Sequence, residues 1–362
     1  MFDFVPLELY TNIHYFALLL IVVLIVICSF TYDIKEERNI QFFNYFGYFV
    51  IFWYILYMGL RPISGKYFGD TYNYAKVFEF LQEGKEVSIE KDYFFNYFMA
   101  FCSNFMTINS FLLLLDVFYV VPYVIFSKKY FGKYWFFVTL FFISSFSFWA
   151  SGVNGLRNGL GTSFFILGLA YYNRKFMMYI LFVLSYFMHA SLIIPIAAFL
   201  IARFYKDPKI YLFIWLASIP LSLAGGSVWN EFFANIGFQD RTEGYLINSE
   251  ENLDQFSQTG FRWDFLIYSS LAVIAGWYFI FKEKMTDKFY IHLFGIYCIA
   301  NAFWILVITA AFSNRFAYLS WFLMPVIIAY PILRYKIWKD QYRTFGLILL
   351  LYFMFTFVMN VK

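Results

Sequence analysis

Runs of apolar residues, each interrupted by a short polar connector, recur along the whole chain. They cover approximately residues 13–32, 42–60, 109–126, 134–150, 155–172, 209–224, 263–281, 289–311, 315–333 and 343–361. A helix needs roughly 20 apolar residues to cross the hydrocarbon core of a bilayer, so this spacing predicts about ten transmembrane α-helices. The alternating segments of about ten residues that mark a transmembrane barrel are not seen. Two further stretches, 93–107 and 177–203, are ambiguous by length and by pattern.

The connectors resolve the ambiguity. Lys35–Arg38, Ser127–Lys133, Asn173–Lys175, Arg203–Lys209, Lys282–Lys288 and Arg334–Arg343 hold 17 of the 27 lysines and arginines. The positive-inside bias puts all six on the cytoplasmic side. Residues 93–107, diluted by Asn96, Ser103, Asn104 and Thr107, then read as an interfacial helix. Residues 177–203 read as a re-entrant helical pair that bends near His189 to Pro195. Both termini fall outside. A twelve-span arrangement, in which both stretches cross, is the alternative.

Composition agrees with this pattern, since 62% of the 362 residues are hydrophobic and 14% are charged. Such a chain is an all-α polytopic integral membrane protein, not a soluble domain. It reads as a single transmembrane domain over residues 1–362. The two long outer connectors, 61–92 and 225–262, are too short for domains of their own and are expected to cap a cavity. The first apolar run lacks a basic leader and a small-residue cleavage site, so it is expected to be a retained helix. Cys28, Cys102 and Cys298 lack ligand spacing and are expected to be packing residues. The three histidines are far apart, so no metal or other cofactor is expected. Nothing in the pattern calls for nucleic acid.

Arginine then breaks the rules. On the outer side, and in the first turn of a descending helix, it is opposed both by the positive-inside bias and by the helix dipole. Arg157 lies in the glycine-rich stretch Ser151–Gly161, Arg262 in TGFRWDF and Arg315 in FSNRFAYL; Arg61 closes the second span from the same side. A single such arginine is equally well explained by snorkelling to headgroups or by a nearby carboxylate such as Asp254 or Asp264. Four placed alike call for a common cause, and a shared phosphate or diphosphate ligand supplies one.

Candidate acid–base groups lie close by in the pattern. Asp70, in the turn Gly69–Asp70–Thr71, reads as a helix cap or as a base for a hydroxyl nucleophile. His189, in an apolar segment, reads as a hydrogen-bonded interhelical histidine or as the base. Asp116, within FLLLLDVFYV, is expected to make a structural hydrogen bond. Most aromatic side chains are expected in the core or against lipid. Tyr67, Tyr72, Tyr74, Trp229 and Trp263 are kept as candidate glycan contacts, with Asn158 and Asp264 beside them.

Taken together, RPISGKYFGDTYNY, NGLRNGL, FMHASLIIPI and SNRFAYLSWF resemble the EpsG-like branch of the Wzy-type bacterial polysaccharide polymerases, from about Arg61 to Tyr330. Asn158 departs from that pattern, in which glutamine more often follows the arginine. The resemblance implies a membrane glycosyltransferase of the bacterial cytoplasmic (inner) membrane, compatible with a GT-C-like helical architecture. It would join oligosaccharide repeat units, carried on a polyprenyl diphosphate, for an O-antigen or exopolysaccharide. Donor and acceptor are then both lipid-linked, membrane lipids surround the site, and a chain-length regulator protein is a candidate partner. The arginines would hold the diphosphate, and Asp70 or His189 would take the acceptor's proton. A lipid-linked oligosaccharide flippase, an O-antigen ligase and a membrane acyltransferase are the alternatives.

Overall fold

A computed structural model describes residues 2, 4–85, 89, 91–233, 260–310 and 313–361, and it is all-helical there, as the apolar pattern predicts. The helices are α1 (Leu7–Thr31), α2 (Glu37–Gly59), α3 (Gly65–Phe68), α4 (Thr71–Gln82), α5 (Tyr93–Ser103) and α6 (Ile108–Phe131). They continue as α7 (Trp135–Ile143), α8 (Phe146–Val153), α9 (Leu156–Ala170), α10 (Lys175–Met188), α11 (Ile193–Phe204) and α12 (Pro208–Phe233). The last are α13 (Trp263–Trp277), α14 (Lys288–Leu306), α15 (Asn314–Trp321), α16 (Met324–Arg334) and α17 (Gln341–Asn360). They form two compact units, Met1–Leu192 with Ala329–Lys362, and Ile193–Ile328.

Among the described residues, eight helical segments are long and apolar enough to cross a membrane: Leu7–Thr31, Glu37–Gly59, Ile108–Ile143, Pro208–Gly225, Trp263–Lys282, Lys288–Leu306, Asn314–Arg334 and Gln341–Asn360. The third is a hairpin rather than one rod. The ring of Phe142 sits 4.7 Å from Tyr123 and 6.2 Å from Phe126, a return that a straight helix rising 1.5 Å per residue cannot make. The turn lies at Gly132–Tyr134.

Two expected spans are divided or shortened. The run 134–150 breaks after Ile143, where Ser145 turns extended (ψ 147°) and its hydroxyl donates to the Phe142 carbonyl at 2.7 Å. A serine that bonds its own backbone competes with the helix ladder. The run 155–172 holds the 15-residue α9. The 11-residue α5, expected at the interface, is too short to cross a bilayer. In 177–203 the helix stops at His189, whose backbone is extended (φ −156°, ψ 114°), where the bend is expected.

In the first unit, the basic connectors gather at one end. Lys35 lies over the Tyr342 ring, Tyr342 donates to Tyr134, Arg334 donates to the Tyr130 carbonyl, Lys128 donates to Tyr48 and Lys129 lies over Tyr171. In the second unit, Trp215 donates to Asn301 at 2.7 Å, and Asn301 donates to Ser269 and Ser320. That network is fully buried, and every member of it finds a partner.

The far end of the first unit is closed by a buried ion pair. Arg61 and Asp116 have side chains 0% and 1% exposed, with Nη1 donating to Oδ2 at 2.9 Å. Arg61 Nη1 also donates to the Met58 carbonyl, and Nη2 donates to Thr71 Oγ1 and the Val153 carbonyl. Removing one partner of such a pair typically costs about 3–5 kcal/mol, because the other charge is left buried and bare; removing both is far milder. Asp116→Leu is therefore expected to lower thermal stability in detergent sharply. The double variant Arg61→Met/Asp116→Leu should recover much of the loss; a double variant as unstable as the single one would contradict this account.

Candidate functional site

Two sequence motifs that are remote along the chain dock through backbone groups. The Gly69–Asp70–Thr71 turn sits on Val153–Asn154 at the end of α8, with Asp70 N–H donating to Asn154 Oδ1 at 2.9 Å and Thr71 Oγ1 donating to the Val153 carbonyl at 2.5 Å. Gly69 has a left-handed backbone (φ 53°), and a Cβ there would meet Asn154 Oδ1 at 2.2 Å, so no other residue fits. Asp70 is thereby fixed at the start of α4. Its half-buried carboxylate makes no side-chain cap and takes no hydrogen bond from any described residue.

The glycine-rich stretch places Arg157. At Gly159 a Cβ would meet the Ser151 carbonyl oxygen at 2.6 Å, so this glycine lets the first turn of α9 cross against α8. Arg157, in that first turn, donates from Nε to Tyr74 Oη at 3.0 Å and from Nη1 to Asp92 Oδ2 at 2.8 Å. Its side chain remains 30% exposed, and Nη2 donates to no described residue. Tyr74 is itself buried, so it serves the arginine and not an open surface.

Asp92 is the centre of the cluster. Its Oδ1 accepts from the Ala190 N–H at 2.9 Å and lies 3.6 Å from His189 Nδ1. The helix break at His189 explains the first contact, because an N–H just past a broken turn must find its acceptor elsewhere. Asp92 adopts a left-handed backbone (φ 52°, ψ 44°), held by Asn96, whose side-chain amide donates to the Lys91 and Asp92 carbonyls. A non-glycine residue in that region is uncommon and tends to mark a site where the surroundings impose it.

The electrostatics of Asp92 follow from its partners. Burial alone would raise its carboxyl, but the neighbouring His189 ring, cationic at the low pH where this carboxyl titrates, with the charge of Arg157 and the Ala190 N–H, outweighs it and holds the group at about 2. Asp70 lies one helical turn before Tyr74 and is bonded to Asn154, three residues before Arg157, which puts this second carboxylate beside the cluster. Among the described residues, no group of three or more His, Cys, Asp or Glu has the placement to hold a metal ion.

The first unit therefore brings Asp70, Arg157 and His189 into one cluster, with Arg61 buried behind the Asp70 turn. Tyr72 is 44% exposed, with Lys76 4.5 Å from its ring. Asn158 Oδ1 is buried and accepts from no described residue. In the second unit, Arg262 forks onto Asp264 (Nε to Oδ1 at 2.9 Å, Nη2 to Oδ2 at 2.6 Å) and lies 3.8 Å from the Phe265 ring. Trp263 is 55% exposed, and Arg315 stands in the first turn of α15. Most of the connector 225–262, with Asp254, lies outside the described residues.

Sequence reasoning passes over Asp92. In Lys91-Asp92-Tyr93 it ends a polar connector ahead of an apolar helix and reads as an ordinary cap. Its side chain makes no cap hydrogen bond. Only the fold reveals that it faces α9 and the break after α10.

Because the folded carboxyl sits below the unfolded value of about 3.9, its stabilising contribution is complete above that pH and is lost as pH falls toward about 2. The stability difference between wild type and Asp92→Asn in detergent should therefore shrink as pH falls between about 4 and 2. A difference that is flat across that window would show that the pairing does not operate.

The family model described as the EpsG family matches residues 50–362. Neither a curated protein nor a solved structure matches the chain.

Proposed function

Because the chain belongs to the EpsG family, we propose that it is a membrane glycosyltransferase that polymerises lipid-linked oligosaccharide repeat units. Family membership supports a polysaccharide polymerase-like role in general. The finer reading is an inverting transfer between repeat units carried on polyprenyl diphosphate, on the outer side of the cytoplasmic membrane. Its main support is the cluster at the end of α9, where an arginine with a free donor edge stands beside a histidine and two carboxylates.

In this reading Arg157 offers Nη2 to a diphosphate oxygen while Tyr74 and Asp92 hold its other edge. A guanidinium preset in this way stabilises the negative charge that develops as the diphosphate leaves. The N-terminus of α9 adds its own N–H groups to the same anion. In the second unit, Arg262 keeps Nη1 outside its fork with Asp264, and it and Arg315 are proposed, from their place in the sequence, as anion-binding residues. Arg61, fully buried, acts by positioning the Asp70 turn. Asp70 or His189 deprotonates the acceptor hydroxyl, which attacks the anomeric carbon opposite the leaving group. Tyr72 and Asn158 are the proposed glycan contacts of the first unit, and Trp263 and Asp264 those of the second.

The test is turnover of a synthetic polyprenyl-diphosphate repeat unit by purified protein, with products sized on a gel. Wild type should give a ladder. Arg157→Ala and His189→Ala should each lower the rate by about 100-fold or more at normal expression, the scale of losing one electrostatic or acid–base group. If wild type makes no ladder but moves the lipid across a vesicle membrane, the protein is a flippase and the glycosyl-transfer reading falls.

A further inference from the structure

Two groups compete for the role of base, and their surroundings differ. Asp70 is tied through its backbone N–H to Asn154, and its carboxylate takes no hydrogen bond from any described residue. His189 has a buried carboxylate aimed at its ring. Asp92 Oδ1, 3.6 Å from Nδ1, is locked by the N–H of the very next residue at 2.9 Å, while Oδ2 is locked by Arg157 at 2.8 Å. The carboxylate cannot turn away from the imidazole without breaking one of these bonds.

From this we infer that Asp92 is a positioning residue that orients His189 as the general base, an assignment that rests on the glycosyl-transfer reading above. The carboxylate selects the tautomer with the proton on Nδ1, which makes Nε2 the basic nitrogen that receives the acceptor's proton. The 3.6 Å separation is longer than a hydrogen bond, and a small rotation of the ring closes it, as catalytic contacts often close only when substrate is bound.

In the step itself, the acceptor O–H bond breaks and its proton passes to Nε2 as the oxygen forms a bond to the anomeric carbon. The bond from that carbon to the diphosphate oxygen breaks, and its electron pair leaves with the diphosphate. The resulting imidazolium faces Asp92, which stabilises it. It then returns the proton to the departing diphosphate or to water, restoring the neutral ring.

A carboxylate that works through a histidine leaves a specific signature. Its removal should cost kcat and spare KM for the lipid-linked donor, and the cost should disappear once the histidine is gone. The experiment is a double-mutant cycle of Asp92→Asn and His189→Gln, read as single-turnover transfer between lipid-linked repeat units, with Asp92→Glu as the conservative variant. We expect Asp92→Asn to lower kcat by about 100-fold. In the His189→Gln background it should lower the rate by less than about threefold, and Asp92→Glu should regain part of the loss. Spectra of isotope-labelled histidine nitrogens, with His189 assigned by difference from His189→Gln, should report a proton on Nδ1 in wild type and a changed tautomer balance in Asp92→Asn.

If Asp92→Asn costs the same with and without His189, it acts through Arg157 or through the fold, and the inference is overturned. An unchanged histidine spectrum overturns it too. A wild type that transfers no sugar overturns the glycosyltransferase reading instead, a result distinct from a working polymerase that is indifferent to Asp92.

Discussion

One buried guanidinium closes the end of the first unit at which the candidate site is built. Arg61 reaches the last turn of α2 through Met58, α6 through Asp116, the start of α4 through Thr71 and the end of α8 through Val153. α2, α4 and α8 end or begin at this level and bring groups that their own helices cannot satisfy, while α6 contributes a carboxylate from within its length. A planar group with five donors serves several such acceptors at once, which a lysine could not do with the same geometry. Asp116 supplies the counter-charge that makes a buried arginine tolerable. The Asp70 turn and the Val153–Asn154 segment are joined by this arrangement, and the cluster around Arg157 follows directly after Asn154 in the chain.

From that anchor the site is built by close approach and by interruption. Gly159 brings α9 against the Ser151 carbonyl, and at Gly161 a Cβ would meet Leu192 at 2.7 Å, so α9 also lies hard against the segment just beyond α10. Ring stacking of Phe165 on Phe182, with centroids 4.5 Å apart, fixes the same pair of helices lower down. The register set by these contacts brings the first turn of α9 level with the break at His189. An unbroken α10 would have satisfied the Ala190 N–H within the helix and left Asp92 Oδ1 without that donor. The interruption is therefore what converts two packed helices into a place where an arginine, a carboxylate and a histidine meet.

The architecture was legible because its signal is spread over hundreds of residues. Apolar runs, basic connectors and the bend at His189 each reflect a constraint that the bilayer imposes on any sequence. What blurred was local: Ser145 bonding its own backbone divides one expected span, and no composition rule foresees it. Arg157 and His189 were legible because their placement violates a general bias. The fate of Arg61 was not, since burial in an ion pair and binding of an external anion both begin from an arginine at a helix end. Asp92 was illegible for the opposite reason. A carboxylate ahead of a helix satisfies every local rule, and its partners lie 65 and 97 residues further along the chain.

The charges at this site also answer a difficulty of the membrane setting. Arginine in the first turn of α9 opposes the helix dipole, and a bare guanidinium beside hydrocarbon would be expensive. Asp92 removes that cost before any ligand arrives, yet it occupies only Nη1 and leaves Nη2 exposed to a second anion. The same carboxylate has a neighbour, His189, that becomes cationic if it accepts a proton. During the proposed transfer, negative charge grows on the diphosphate beside Arg157 while positive charge grows on the imidazole, and Asp92 stands between the two. Each new charge thus appears next to a fixed group of opposite sign, so the cluster can follow the reaction without large rearrangement. Preset compensation of this kind lets fixed groups meet charges as they form, without waiting for solvent to reorient.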